Sequence, residues 1–319
     1  MIDCHNHIGA ELLSYLHGDF PYGQQLEDLV TNGGALGIRR WVVFPMVSNL
    51  SLSISAMRRG DITTEGALAS VPYEFENQRM MREMHDYFPD HGAKVWPFAM
   101  FDPGRNVEGQ VKALRSLYER YPFQGLKVQA TIIQSPITQL NGEGGAFLDL
   151  CEEWDIPMLI HSSVLPSDVW SQASDIVDIA KSRPGVRFNI AHSCRFDRTQ
   201  LDRIAELPNA WFDCSAHRIH CDLVLRESAV VAPPERRFQS NYNDPAQVLH
   251  DLAIAYPGKM MWGSDSPYYS WVAMDGDAPY SLRSTYDLEV QAVQALPEKM
   301  QEEIGETNIL EWLKIAEGK

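Results

Sequence analysis

The sequence predicts a (β/α)8 TIM barrel, a closed cylinder of parallel strands ringed by helices. Three observations lead there. Short, continuously hydrophobic runs recur along the chain, amphipathic stretches lie between them, and no composition shift divides the 319 residues. The expectation is therefore one barrel domain over residues 1–319.

Eight runs read as strands: residues 1–5, 41–44, 95–101, 125–129, 157–161, 186–192, 210–214 and 260–265. Most do not alternate polar with apolar, the pattern of parallel strands buried on both faces. Between them, Val107, Val111, Leu114, Tyr118 and Tyr121 share one helical face. Met81, Met84 and Phe88 make a shorter stripe, as do Phe147, Leu150 and Trp154, and Leu201, Ile204 and Ala205. Pro122, Pro157, Pro184 and Pro208 precede the next strands, where a helix has stopped. An open doubly wound sheet is the competing architecture, but no glycine-rich phosphate turn follows the first strand. Two long connections, 48–71 and 218–244, leave the C-terminal ends of strands. They read equally well as pocket walls and as solvent-facing or oligomer-contact segments.

Composition narrows the partners. Lys and Arg number 27 against 43 Asp and Glu, a net charge of −16 that disfavours nucleic acid and anionic lipid. No apolar run is long enough to span a bilayer. The first residues show no basic region followed by an apolar stretch, so a cytoplasmic location is the expectation. The five cysteines lack zinc-knuckle or redox-pair spacing and read as reduced, mostly buried thiols.

The chemistry gathers at strand ends. His5 and His7 are two apart on the first strand and share a face. Alone, that pair is a weak signal, more often two histidines without a metal. Strand 5, however, ends in His161, strand 6 in His192 and strand 8 in Asp265. Such groups crowded at one barrel mouth need a metal or tight pairing to offset their desolvation. Nitrogen and carboxylate donors suit zinc, with iron or manganese as alternatives.

The motifs Ile2-Asp3-Cys4-His5-Asn6-His7, Leu159-Ile160-His161, Ile190-Ala191-His192 and Trp262-Gly263-Ser264-Asp265-Ser266-Pro267 resemble the amidohydrolase superfamily. The resemblance is strongest to the branch holding aminocarboxymuconate semialdehyde decarboxylase, aromatic-acid decarboxylases and lactonases. It implies one divalent metal, zinc by donor type, held by His5, His7, His161 and Asp265. It implies Asp265 and His192 as catalytic groups, Asp265 taking a proton from water and His192 polarising or carrying a proton. Lys127, in the fourth strand, has two readings: an ammonium facing an acidic substrate group, which is preferred, or a carboxylated bridge between two metals. Related enzymes are often dimers, so a homodimer is the oligomer the resemblance would supply.

Arg195 could clamp a substrate carboxylate or form a surface salt bridge. His217 and His220 could reach the pocket or be ordinary polar side chains. Tyr268, Tyr269 and Trp271 could wall it or simply pack. The expected function is hydrolysis of a lactone, ester or amide in a small metabolite. Non-oxidative decarboxylation of an aromatic or unsaturated acid is the alternative from the same ligand set. A metal-binding protein without catalysis is disfavoured, because the ligand set leaves an open coordination position.

Overall fold

The computed structural model describes residues 1–47, 50–275 and 278–316. Its frame is eight strands: β1 (Ile2–Ala10), β2 (Arg40–Pro45), β3 (Val95–Met100), β4 (Gly125–Val128), β5 (Met158–Ile160), β6 (Phe188–Ile190), β7 (Ala210–Asp213) and β8 (Met260–Met261). Each pairs in parallel with the next in sequence order. The main chain after β8 closes the cylinder against β1. Cys4 N–H donates to Trp262 O at 3.2 Å, Asp265 N–H to His5 O at 2.9 Å and His7 N–H to Ser266 O at 2.8 Å. The eight expected strands are all present, and the expected barrel is the fold.

Burial on both faces explains the unbroken apolar runs. Val42, Phe44, Phe98, Met100, Leu159, Ala191, Trp211 and Met261 belong to one core cluster, inside the cylinder. Their neighbours Val43, Ala99, Leu126, Met158, Ile160, Phe188, Ile190, Phe212 and Met260 belong to another, beneath the helices. The helix Asn308–Leu313 plugs the N-terminal end, with Trp312 packed on Phe98 at 5.3 Å between ring centres. Gly125 must be glycine, because a Cβ there would lie 2.3 Å from the Phe98 ring. Amphipathic helices cover the outside where their stripes predict, over Val107–Arg120, Gly145–Trp154 and Arg198–Ala205.

Three features depart from the expectation. β1 runs past the barrel rim and pairs antiparallel with Gly23–Gln24. After β8 comes a two-stranded ribbon, Trp271–Asp275 and Ala278–Leu282. The connection expected at 218–244 begins as a helix, His217–Leu225, and becomes irregular only beyond it. In the connection 48–71, residues 48–49 lie outside the described set, and the rest carries one short helix, Ile54–Met57. Among the described residues no helix is long and apolar enough to cross a membrane. All five cysteines are buried and unpaired.

Candidate metal centre

β1 delivers His5 and His7 to the barrel mouth, their ring centres 5.6 Å apart and both edge-on to Phe44. The turn after β8 brings Asp265 to them. Its Oδ1 stands 3.2 Å from His5 Nε2 and 3.4 Å from His7 Nε2. His192, at the end of β6, places Nδ1 3.9 Å from Asp265 Oδ2. His5, His192 and Asp265 each offer a donor atom, all within 4.8 Å of one another.

His161 sits one step away. Its Nδ1 is 2.9 Å from His192 Nε2, and its Nε2 is 3.4 Å from Arg195 Nη2. The resemblance makes His161 a ligand and His192 a catalytic polariser or proton carrier rather than a ligand. In the structure it is His192 that stands within the group of His5 and Asp265. Lys127 is fully buried, with Nζ 3.2 Å from His5 Nε2 and 4.7 Å from the centre of the Phe44 ring.

The electrostatics favour neutral imidazoles here. Burial lowers His7 to about 4 against the pull of Asp265. Burial, with the Arg195 charge, pushes His161, His192 and His220 well below the usual range. Burial also lowers Lys127 to about 8. Asp213 is the exception: burial works to raise it, and its electrostatic attraction to and hydrogen bond from His5, with the hydrogen bonds of Ser215 and the His192 N–H, outweigh that and hold it below the usual carboxylate range. A divalent cation fits this donor set. His5 gives Nδ1–H to Asp213 at 2.9 Å, which leaves its Nε2 lone pair on the side of Asp265. Neutral nitrogens beside a carboxylate are the donors such an ion takes.

Residues 2–315 match the model of the family described as amidohydrolase. The chain belongs to the amidohydrolase family. No curated protein matches its sequence. Among solved structures, it resembles 2,6-dihydroxybenzoate decarboxylase complexed with 2,6-dihydroxybenzoate, at 14% identity and TM-score 0.62, covering 98% of this chain and 99% of that one. It also resembles a dihydroxybenzoic acid decarboxylase from Polaromonas sp. JS666 with bound manganese and the inhibitor 2-nitroresorcinol, at 14% identity and TM-score 0.60, over 98% and 96% of the two chains. Dihydroorotase from Campylobacter jejuni matches at 16% identity and TM-score 0.56, over 100% of this chain and 84% of that one.

In this amidohydrolase a cavity of about 320 Å³ opens over the cluster. His7, His161, His192 and Asp265 form its polar side. Ile219 and Leu223, from the helix His217–Leu225, and Trp271, Tyr280 and Leu282, from the ribbon, form its apolar side. Tyr268 also lines it, edge-on to His7 at 5.0 Å, with its hydroxyl donated to the buried Glu11 at 2.5 Å. Tyr269 is not among the lining residues.

Of the three residues expected to touch substrate, one meets the cavity. Arg195 lines it, with Nε donating to Ser162 O at 3.1 Å and Nη1 donating to His220 Nε2. Among the described residues it makes no ion pair. Lys127 lies behind His5 and is not part of the lining. His217 is a correction. It begins a helix and its Nε2 donates to Pro245 O at 2.9 Å, while His220 lines the cavity. Ala216, Ile219, His220 and Leu223 fall on one face at helical spacing, and His217 falls off it.

Asp213 escaped the sequence reading altogether. It ends β7 as His161, His192 and Asp265 end their strands, and that shared position was the available signal. The turn carrying His192 also gave no warning. His192, Ser193, Cys194, Arg195 and Phe196 all have positive φ, between 48° and 64°, without a glycine. A left-handed residue costs about 1–2 kcal/mol, so such a run survives only where its surroundings hold it. Ala232 N–H and Phe238 N–H do so, donating to Arg195 O and Phe196 O at 2.9 Å each.

Proposed function

We propose that this amidohydrolase is a metal-dependent, non-oxidative decarboxylase of a planar, aromatic or unsaturated carboxylic acid. The carrying observation is Arg195. It is a buried guanidinium on the cavity wall, bonded to a carbonyl and two imidazoles and to no carboxylate among the described residues. A buried cation without an anion is costly, and a substrate carboxylate would supply the missing charge. The flat apolar side formed by Trp271, Tyr280, Ile219 and Leu223 suits a ring, and the decarboxylases named above match across nearly their whole length.

A divalent ion at His5, His7 and Asp265, beside His192, would supply Lewis-acid pull on substrate oxygens. The donor set suits zinc, and the Polaromonas enzyme holds manganese. Arg195 holds the acid group in line with the cluster. The apolar wall excludes water and accommodates neutral carbon dioxide better than the charged carboxylate. Asp265 gives a proton to the carbon that loses the group. The electron pair of the broken C–C bond stays with the substrate, carbon dioxide leaves, and solvent reprotonates Asp265.

The match to dihydroorotase favours a second reading, hydrolysis, in which Asp265 takes a proton from water. One experiment separates them. The metal-loaded protein is given carboxyl-labelled hydroxybenzoates and unsaturated acids, and in parallel lactones and cyclic amides. Labelled carbon dioxide, with solvent deuterium at the vacated carbon, is the expected result. Ring opening of lactones or amides without carbon dioxide release would move the assignment to hydrolysis.

A further inference from the structure

Five groups converge on Asp213, which is wholly buried. Its Oδ2 accepts from His5 Nδ1 at 2.9 Å and Asn189 Nδ2 at 2.9 Å. Its Oδ1 accepts from the main-chain N–H of His192 at 3.1 Å, that of Ser215 at 3.0 Å and the Ser215 hydroxyl at 2.5 Å. Among the described residues no lysine or arginine pairs with it; the His5 ring is its partner.

We propose that Asp213 is the positioning residue of the metal centre: one carboxylate fixes the rings of His5 and His192, from two different strands, so that each carries its proton on Nδ1, with the His5 Nε2 lone pair turned to Asp265 and His192 Nε2 accepting from His161. This rests on reading His5 as a group that faces the ion, and not on the reaction assigned above.

The sense of each hydrogen bond follows from what the partners can do. An ionised carboxylate only accepts, so His5 Nδ1 donates and its Nε2 keeps the lone pair. The Ser215 hydroxyl has given its proton to Asp213, and the Ser215 carbonyl can only accept. His192 Nδ1 lies 2.8 Å from that hydroxyl and 3.2 Å from that carbonyl, so it carries the proton. A guanidinium only donates, so Arg195 fills His161 Nε2. His161 Nδ1 then donates to His192 Nε2 at 2.9 Å. The chain runs in one direction, from a donor-only arginine through two imidazoles and a hydroxyl to an acceptor-only aspartate. Asp213 also pins the main chain of His192 where the left-handed turn begins, so ring and backbone are set by the same side chain.

An amide cannot replace this carboxylate. Asparagine offers one accepting atom and one donating atom, and five donors already converge there. The test uses zinc-loaded full-length protein with 15N-labelled histidine. In the wild type, His192 should show a protonated Nδ1 and an unprotonated, hydrogen-bonded Nε2, and His161 and His5 a protonated Nδ1. Asp213→Asn should weaken zinc, by chelator competition, about 10- to 100-fold, and should blur the His5 and His192 signals into mixed tautomers. Wild-type zinc affinity in that variant, with both ring patterns intact, would overturn the proposal. If Asp213→Asn does not fold, the wild-type spectrum decides, because a His192 ring protonated on Nε2 alone contradicts the assignment. Neither readout involves turnover, so failure of the decarboxylase reading would leave both unchanged.

Discussion

Gly263 lies against His5 so closely that a Cβ on it would stand 2.7 Å from His5 Cβ and 3.1 Å from His5 N. The main chain after β8 passes β1 at the level of the metal centre because nothing projects from residue 263. Gly263→Ala must therefore push His5, its neighbours or both. A displacement approaching 1 Å costs about 100-fold in turnover. The variant should keep its far-ultraviolet circular dichroism while losing metal and activity together. Full metal content at wild-type turnover would show that the barrel seam absorbs the methyl group without moving His5.

Arg195 and stability should separate from each other. Arg195→Met removes a buried cation that has no carboxylate partner, and keeps a long apolar chain in its place. The unliganded protein should lose no thermal stability, because the desolvated charge offsets what its hydrogen bonds contribute. Substrate binding should suffer: losing one partner of a buried charge pair costs about 3 kcal/mol, roughly 100-fold in KM. Melting curves with and without a carboxylic-acid substrate, together with KM, read both effects. An unchanged KM would remove Arg195 from the binding site.

The same residues show how much of the molecule the sequence carries. The barrel is legible because each strand buries side chains on both faces, so residues such as Val42, Val43 and Phe44 read as one run. His5, His7, His192 and Asp265 are legible because parallel strands deliver their last residues to one rim. Asp213 was hidden at the end of an apolar run, since its role depends on five donors from β1, β6 and the turns after β6 and β7. His217 and His220 could not be told apart without knowing where the helix begins. The left-handed turn at His192 to Phe196 has no local signal, because the segment 231–238, remote in sequence, holds it.

Glu289 makes stability depend on pH. It is fully buried, accepts the Ser284 hydroxyl at 2.6 Å, and leaves Oε2 without a hydrogen-bond partner. Burial raises it from 4.5 to about 7, against the Ser284 bond and Arg218, with Asp265 adding to the rise. Between those values the folded chain keeps a proton that the unfolded chain has lost. Stability therefore falls as pH rises from 4.5 to about 7. The loss on this account is about 3 kcal/mol. Glu289→Gln cannot ionise and should flatten that part of the profile, gaining on the wild type at pH 8 but not at pH 4. Urea unfolding at the two values checks this, and an equal difference at both would remove Glu289 as the cause.

One metal ion per chain is expected rather than two. A second ion bridged by carboxylated Lys127 would need His161 and His192 to turn lone pairs towards it. In the structure their nitrogens face each other at 2.9 Å, and His161 Nε2 faces a guanidinium, which no cation would join. Lys127 Nζ lies against His5 Nε2 in a fully buried position and does not line the cavity over the cluster. Metal analysis after loading with zinc or manganese should give about one ion per chain, and removal by chelator should abolish turnover until metal is restored. Bicarbonate should change neither the count nor the rate. Two ions per chain, with activity that rises with bicarbonate, would require Lys127 to leave His5 and carry the bridge.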